Sequence, residues 1–256
     1  MLSPSASYLC IDYMIAAIIQ ARTSSTRLPN KVFADIEGSP LISHVVDRVS
    51  RSRLIEKIII ATTKNSHDDT LEEYAINNNI AVFRGDENDV LLRFFGAAKQ
   101  YDVTTIARIT ADDPFKDPQV IDLVIRSFLD YRVDFAYNNH PPTFPEGLDV
   151  EVFSYEALAQ AVRDSFNAFE REHVTQYFYR NPNRFKQINV SNFENLSDLR
   201  WTIDSQEDLD MAREVYSKLY QNGEIFYMRD ILKLLKRYPH IANINKDVKR
   251  SALYNK

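Results

Sequence analysis

The apolar residues of this chain come in short blocks with two different spacings. Ile15–Ala21 (IAAIIQA) is almost wholly apolar, the pattern of a strand covered on both faces, and Lys57–Thr62 (KIIIAT) repeats it. Between them, Pro40–Ser52 places Leu41, Ile42, Val45, Val46 and Val49 at helical spacing. The alternation continues with a helix over Asp68–Asn77, a strand over Ile80–Arg84 and a helix over Glu87–Tyr101, whose apolar face is Val90, Leu91, Phe94, Phe95 and Ala98. A strand at Thr104–Thr110 follows. The helix predicted over Asp117–Tyr131 carries the stripe Val120, Ile121, Val124, Ile125 and Phe128, and a strand is expected at Val133–Tyr137. Strands alternating with helices of this length predict an α/β fold, a mostly parallel, doubly wound sheet with helices on both faces. Ligands of such sheets bind beyond the carboxyl ends of the strands. The loops after Ala21, Thr62, Arg84 and Thr110 are therefore expected to converge on one site.

After Pro145 the pattern loosens. Leu148–Phe153 alternates with period two and predicts a strand. Helices are expected at Tyr155–Asp164 and Glu170–Arg180, then a late strand at Leu199–Ile203, a helix over Ser205–Tyr220 and a last helix over Met228–Arg237. The run from His140 to Pro145 holds Pro141, Pro142 and Pro145, which breaks both helix and sheet and predicts a mobile loop. Residues 1–14 read as an N-terminal tail, with an edge strand over Tyr8–Tyr13 as the alternative. A single domain is expected over 15–245 and a C-terminal tail over 246–256.

Composition narrows the function classes. With 45% hydrophobic and 26% charged residues in 256, the chain has material for a core and lacks the low hydrophobicity of disorder. A formal net charge of −5 disfavours general nucleic-acid binding. One cysteine, Cys10, excludes an internal disulfide and a CxxC pair, and the five histidines form no HExxH motif. None of the five glycines lies near the first strand, which excludes a P-loop and a GxGxxG turn there. No apolar run approaches the roughly 20 residues of a membrane span, and the first residues lack the basic and apolar regions of a secretory signal. A cytoplasmic location is expected.

The stretch after the first strand, Gln20-Ala21-Arg22-Thr23-Ser24-Ser25-Thr26-Arg27-Leu28-Pro29-Asn30-Lys31, gathers three cations and four consecutive hydroxyl residues. Those groups, with backbone N–H donors, suit a triphosphate. A solvated basic turn would have the same composition; the position beside strand one favours phosphate.

The run Ile18-Ile19-Gln20-Ala21-Arg22-x-x-Ser25-x-Arg27-Leu28-Pro29-x-Lys31 resembles the nucleotide-binding signature of the CMP-sugar-acid synthetases, cytidylyltransferases acting on acylneuraminate and on 3-deoxy-manno-octulosonate. The most similar group is typified by spore coat polysaccharide biosynthesis protein F. Further matches follow in order: Ile60–Thr63, Val82–Leu91, Arg108–Pro114, Pro145–Phe153, Arg171–Thr175 and Leu199–Asp204. The resemblance implies a Rossmann-like, nucleotide-diphospho-sugar transferase-like fold. Its nucleotide-binding half would be about 15–137, and a smaller acceptor-binding and dimerisation half about 138–245. It implies that CTP and a sugar acid give a CMP-sugar and pyrophosphate, with Mg²⁺, for surface or spore-coat polysaccharide.

On this reading Ala21, Arg22, Ser25, Arg27 and Lys31 bind the nucleotide, Arg84, Asp89 and Arg93 contact base and ribose, and Arg22, Lys31 and Asp112 are catalytic. Asp112 and Asp204 hold the metal; Asp113 receives no such role. Glu146, Asp149, Glu151 and His173 meet the acceptor. Several have a plainer alternative, and for Asp112 it is a loop-capping aspartate ahead of the helix from Asp117. Asp204-x-x-Glu207 reads as a helix-capping box, Asp149 and Glu151 as a solvated strand face, His173 as packing, and Arg84, Asp89 and Arg93 as salt-bridging residues. A homodimer is expected, with Phe144, Leu148, Val150, Val152 and Tyr177-Phe178-Tyr179 as its apolar surface. The rival functions are a metal-dependent glycosyltransferase, whose Asp-x-Asp spacing Asp112-Asp113 lacks, and a non-catalytic nucleotide-binding module.

Overall fold

A computed structural model describes residues 14–250 apart from 26, 222 and 223; the tail and the alternative edge strand over 8–13 lie outside the described residues. The elements in chain order begin with β1 (Ile15–Gln20), the hairpin strands β2 (Asp35–Ile36) and β3 (Ser39–Pro40), and α1 (Leu41–Ser50). Then come β4 (Lys57–Thr63), α2 (Asp69–Asn77), β5 (Ala81–Gly85), α3 (Val90–Gln100), β6 (Thr105–Thr110), α4 (Pro118–Tyr131) and β7 (Phe135–Tyr137). The second half supplies β8 (Glu151–Ser154), α5 (Tyr155–Asp164), α6 (Ala168–Glu172), α7 (Gln176–Arg180), β9 (Gln187–Asn189), α8 (Gln206–Leu219), α9 (Met228–Arg237) and α10 (Pro239–Ala242).

Seven strands form one sheet in the order β5-β4-β1-β6-β8-β7-β9. Within it β8 runs antiparallel to both its neighbours, while the other described pairs are parallel. The chain steps outward from β1 to β4 and β5, then returns to place β6 on the other side of β1. That reversal is a topological switch point, which opens a crevice at the strand ends. Gln20 pairs in register with Thr110, so β1 and β6 finish side by side. Just beyond, Ala21 N–H donates to the Ala61 carbonyl and Ala111 N–H to that of Gln20. Two apolar layers cover the sheet. Alternating β1 residues Ala17 and Ile19 face the layer of α1, α4, α8 and α9, while Ala16 and Ile18 face that of α3, α5 and α7. This is the period-two rule applied to a strand buried on both sides.

Several expectations of the second half change. Leu199–Ile203 is not a strand: a single parallel bridge joins Arg200 to Glu146. Arg200, Trp201, Thr202 and Ile203 are all buried, so the run is covered on both sides without a full ladder beside it. The helix expected over Glu170–Arg180 is two short helices, broken where Val174 takes φ +49°. β9 escaped prediction because its three residues are half-buried and mostly polar. The proline-rich loop is tied down, with Phe144 buried, the Thr143 carbonyl accepting from Leu196 N–H and its hydroxyl from Asn192 N–H. The apolar side chains offered for a dimer surface, Phe144, Leu148, Val150, Val152, Tyr177 and Phe178, are instead buried in this chain's own core. Residues 246–250 pack back, bringing Arg250 Nε within 3.4 Å of Glu146.

Candidate active site

Two cavities lie side by side at the carboxyl ends of β1 and β6. The first, about 260 Å³, takes its walls from Ala21, Arg22, Ser25 and Lys31 of the loop after β1 and from Arg93 of α3. The second, about 280 Å³, takes them from Arg108 of β6, Glu146, Asp149, Glu151 and Tyr179. Thr110, Asp112, His173 and Asp204 line both. A reactant in one cavity would therefore meet a reactant in the other across the two aspartates.

Backbone pairing brings those aspartates together although 92 residues separate them (204 − 112). The Asp112 carbonyl accepts from Ile203 N–H at 2.9 Å, which sets Asp204 beside the end of β6. Lys31 Nζ sits between the carboxylates, 2.8 Å from Asp112 Oδ2 and 2.8 Å from Asp204 Oδ1, and also 2.8 Å from the Ile203 carbonyl oxygen. The other Asp204 oxygen receives Arg27 at 2.9 Å and Arg200 at 3.0 Å. Burial alone would raise the Asp204 carboxyl; the charge of Lys31 and Arg27, with the hydrogen bonds of Lys31 and Arg200, holds it below its ordinary value. For Lys31, burial would lower the ammonium, but Asp112 and Asp204 keep it above the usual value.

The helix cap expected of Asp204 belongs to its neighbour. Ser205 Oγ accepts from Asp208 N–H, and Asp208 returns a bond to Ser205 N–H, a capping box one position later than the sequence implied. Asp113 turns away from the first cavity. Its buried carboxylate takes the Thr110 hydroxyl at 2.5 Å and Lys116 at 2.8 Å.

Arg22 is half-exposed and 3.9 Å from Glu87. The loop's base is anchored by a buried residue that sequence reading missed: Asp68 accepts from Thr23 N–H and Thr23 Oγ1, both at 2.8 Å, and from Thr63 Oγ1 at 2.5 Å. In the sequence Asp68 reads only as the start of the expected helix over Asp68–Asn77 and gave no signal for this. Arg93 reaches the first cavity and is buried; burial and the nearby Arg22 charge push it down to about 10. Its Nη1 donates to the Asp86 carbonyl, and its Nε has no hydrogen-bond partner among the described residues. The structure does not bring Arg84 to the cavities. Its guanidinium is held by Asp69, Glu72 and the Thr63 and Asn65 carbonyls. Asp89 likewise caps α3 by accepting from Leu92 N–H and faces Arg171 at 3.5 Å.

All four residues expected to meet an acceptor line the second cavity, but Glu151 is not on a solvated face. It is buried, pairs with Arg108, and accepts from Thr175 Oγ1 at 2.9 Å and Tyr179 OH at 2.8 Å. Glu151 thus braces the cavity wall. Sequence reading missed Arg108, although a single charge inside the apolar strand TIARIT was the available signal. Arg200 and Glu146 form a buried pair at 2.8 Å beneath the same wall.

Magnesium is commonly held by one or two carboxylates, waters and substrate phosphates. Among the described residues no group of three or more His, Cys, Asp or Glu side chains forms a cage for a metal, while Asp112 and Asp204 already converge on one cation, Lys31. That donor set fits a hard divalent ion completed by phosphate.

A family model described as cytidylyltransferase matches residues 16–238. Over 242 residues the chain is 34% identical to an uncharacterised protein of Methanocaldococcus jannaschii, covering 93% of this chain and 97% of that one. It is 32% identical over 239 residues to the spore coat polysaccharide biosynthesis protein SpsF of Bacillus subtilis, covering 89% and 96%. A solved cytidylyltransferase from Leptospira borgpetersenii superposes with a TM-score of 0.86 at 31% identity, covering 93% of this chain and 99% of that one.

Proposed function

Because the chain belongs to the cytidylyltransferase family, we propose that it transfers the cytidylyl group of CTP to a hydroxyl of a sugar acid and releases pyrophosphate. The observation that carries this reading is the shared wall: Asp112 and Asp204 line both cavities, so nucleotide in the first and acceptor in the second would meet there. The acceptor oxygen forms a bond to the α-phosphorus, the bond from that phosphorus to the oxygen bridging to the β-phosphate breaks with its electron pair leaving on pyrophosphate, and the hydroxyl proton passes to solvent water. No protein nucleophile is needed; positioning and neutralisation of charge supply the catalysis.

Arg22, Arg27 and Lys31 serve the phosphates, with Ala21 and Ser25 shaping the loop, and Arg93, which lines the first cavity, offers its charge to the nucleotide. When Mg²⁺ is bound by Asp112 and Asp204, it supplies charge neutralisation at the phosphates and acidifies the attacking hydroxyl. In the second cavity Glu151 and Gln20 hold Arg108, aiming its remaining edge at the acceptor's carboxylate. Glu146, Asp149 and His173 complete the acceptor wall. The glycosyltransferase reading gains nothing, since Asp113 is committed to Lys116. A homodimer belongs to this proposal on the strength of the resemblance alone.

The reading predicts that CTP with Mg²⁺ raises the melting temperature more than ATP, GTP or UTP. A ligand at 100 times its Kd adds about 2.7 kcal/mol. Pyrophosphate release with CTP and a panel of sugar acids then identifies the acceptor. A preference for UTP or a purine nucleotide defeats the cytidylyl assignment; release only with neutral sugars defeats the acid.

A further inference from the structure

Lys31 has three N–H donors and no acceptor, and all three are spent. They reach Asp112 Oδ2, Asp204 Oδ1 and the Ile203 carbonyl, each at 2.8 Å, with the side chain only 12% exposed. An ammonium in that state cannot also hold a phosphate. We infer that Lys31 is a built-in stand-in for the divalent cation, holding the two aspartates in the free protein and leaving them only when a triphosphate arrives, so that metal binding is conditional on nucleotide. The inference rests on the nucleotidyl-transfer reading above.

Charge balance sets the order. A metal arriving alone must evict a nearly buried ammonium from both carboxylates and the Ile203 carbonyl at once. When triphosphate is present, the ammonium exchanges carboxylate oxygens for phosphate oxygens, and the hard cation takes the carboxylates. The flexible four-carbon stem permits the move, and Lys31 already lines the first cavity. Arg27 and Arg200 do not substitute for it: both pair with Asp204 Oδ2, and no bond from either to Asp112 accompanies these. By linkage, the factor by which nucleotide tightens metal binding equals the factor by which metal tightens nucleotide binding.

The test measures Mn²⁺ uptake through loss of the free Mn²⁺ EPR signal, with and without CTP, for the wild type and for Lys31→Gln, Lys31→Met and Lys31→Arg. Without nucleotide, the two neutral variants are expected to bind Mn²⁺ at least about tenfold tighter than the wild type, within the usual range of coupling. Lys31→Arg, which keeps the charge, is expected to stay as weak as the wild type. Asp204 keeps Arg27 and Arg200 in every variant, and the Asp112 side chain is 26% exposed, so melting curves should show folded proteins.

A measurement on the wild type stands independently of the variants. The NMR resonance of the Lys31 ammonium should be unmoved by Mg²⁺ alone and shift when CTP is added with it. Neutral variants that bind Mn²⁺ no tighter than the wild type, or an ammonium resonance displaced by Mg²⁺ alone, overturn the inference while the transfer reading stands. A wild type that takes up neither CTP nor, in its presence, Mn²⁺ brings down both.

Discussion

At the scale of single residues, Asp204 shows how a side chain can fit the spacing of a helix cap and yet do no capping. The Asp-x-x-Glu spacing reads as a capping box, but Ser205 and Asp208 form the box, and Asp204 is left for Lys31, Arg27 and Arg200. The two roles therefore separate by mutation. Ser205→Ala should cost about 1 kcal/mol of stability, measured by urea unfolding, and leave the Mg²⁺ dependence of activity unchanged. Asp204→Asn should move the Mg²⁺ titration of activity to higher concentration, because a neutral amide is a poorer ligand for a hard cation. If the two proteins exchanged phenotypes, the assignment of Asp204 would be reversed. The arginines divide similarly. Arg84 and Arg93 were both expected to contact base and ribose, yet one is consumed by Asp69 and Glu72 while the other reaches the cavity.

At the scale of elements, the segment after residue 199 takes its place from a glycine. Gly147 has φ +103°, and a Cβ there would stand 2.8 Å from both the Thr202 nitrogen and the Trp201 carbonyl carbon. Only a residue without a side chain lets the Glu146 and Arg200 segments approach closely enough for the Trp201 N–H to reach the Glu146 carbonyl at 2.7 Å. Gly147→Ala should destabilise by at least about 1–3 kcal/mol, the usual cost of overpacking, before backbone strain is added. Because Glu146 and Thr202 both line the second cavity, the variant should raise the acceptor KM more than the CTP KM. Steady-state kinetics with each substrate varied in turn checks this, and equal changes in both would detach Gly147 from the acceptor side.

At the scale of the whole molecule, the halves are joined through a buried histidine. His44 of α1 lies against Tyr216 of α8 with ring centroids 4.4 Å apart, and its Nε2 is 2.8 Å from the Ile36 carbonyl oxygen. A carbonyl only accepts, so Nε2 carries the proton. Burial, with Arg48 adding to it, pushes the imidazole below its ordinary value, although the Ile36 carbonyl works the other way. Below about pH 6.5 the unfolded chain binds a proton here that the folded chain refuses. Stability should thus fall as pH drops from about 6.5 toward the folded value, by up to about 1.4 kcal/mol per pH unit for one proton, and level off below it. His44→Gln keeps a donor for Ile36 and removes the titration. Chemical unfolding at pH 5.0–7.5 should give a flatter profile for the variant; parallel profiles would exclude His44 as the source.

What the sequence alone determined was whatever depends on residues near one another in the chain. Apolar runs marked β1 and β4, and helical stripes marked α1, α3 and α4, because a buried face imposes its period on local positions. The alternation of strand and helix then fixed the class of sheet, and with it the end where a site must lie. The matched motifs hold most of the residues that line the two cavities. Tertiary structure decided what each of those residues touches. Asp112 and Asp204 meet because one carbonyl accepts from Ile203, Glu151 is buried because Arg108 and Tyr179 stand opposite it, and Arg84 is spent on α2. The short strand β9 and the singly bridged run at Leu199–Ile203 were misread for the same reason: a ladder needs a neighbour, and no local pattern records which segment will lie alongside. Charge pairing is likewise a property of distance in space, so the sequence could place Lys31 in a phosphate loop but could not show that its ammonium is already held between two carboxylates.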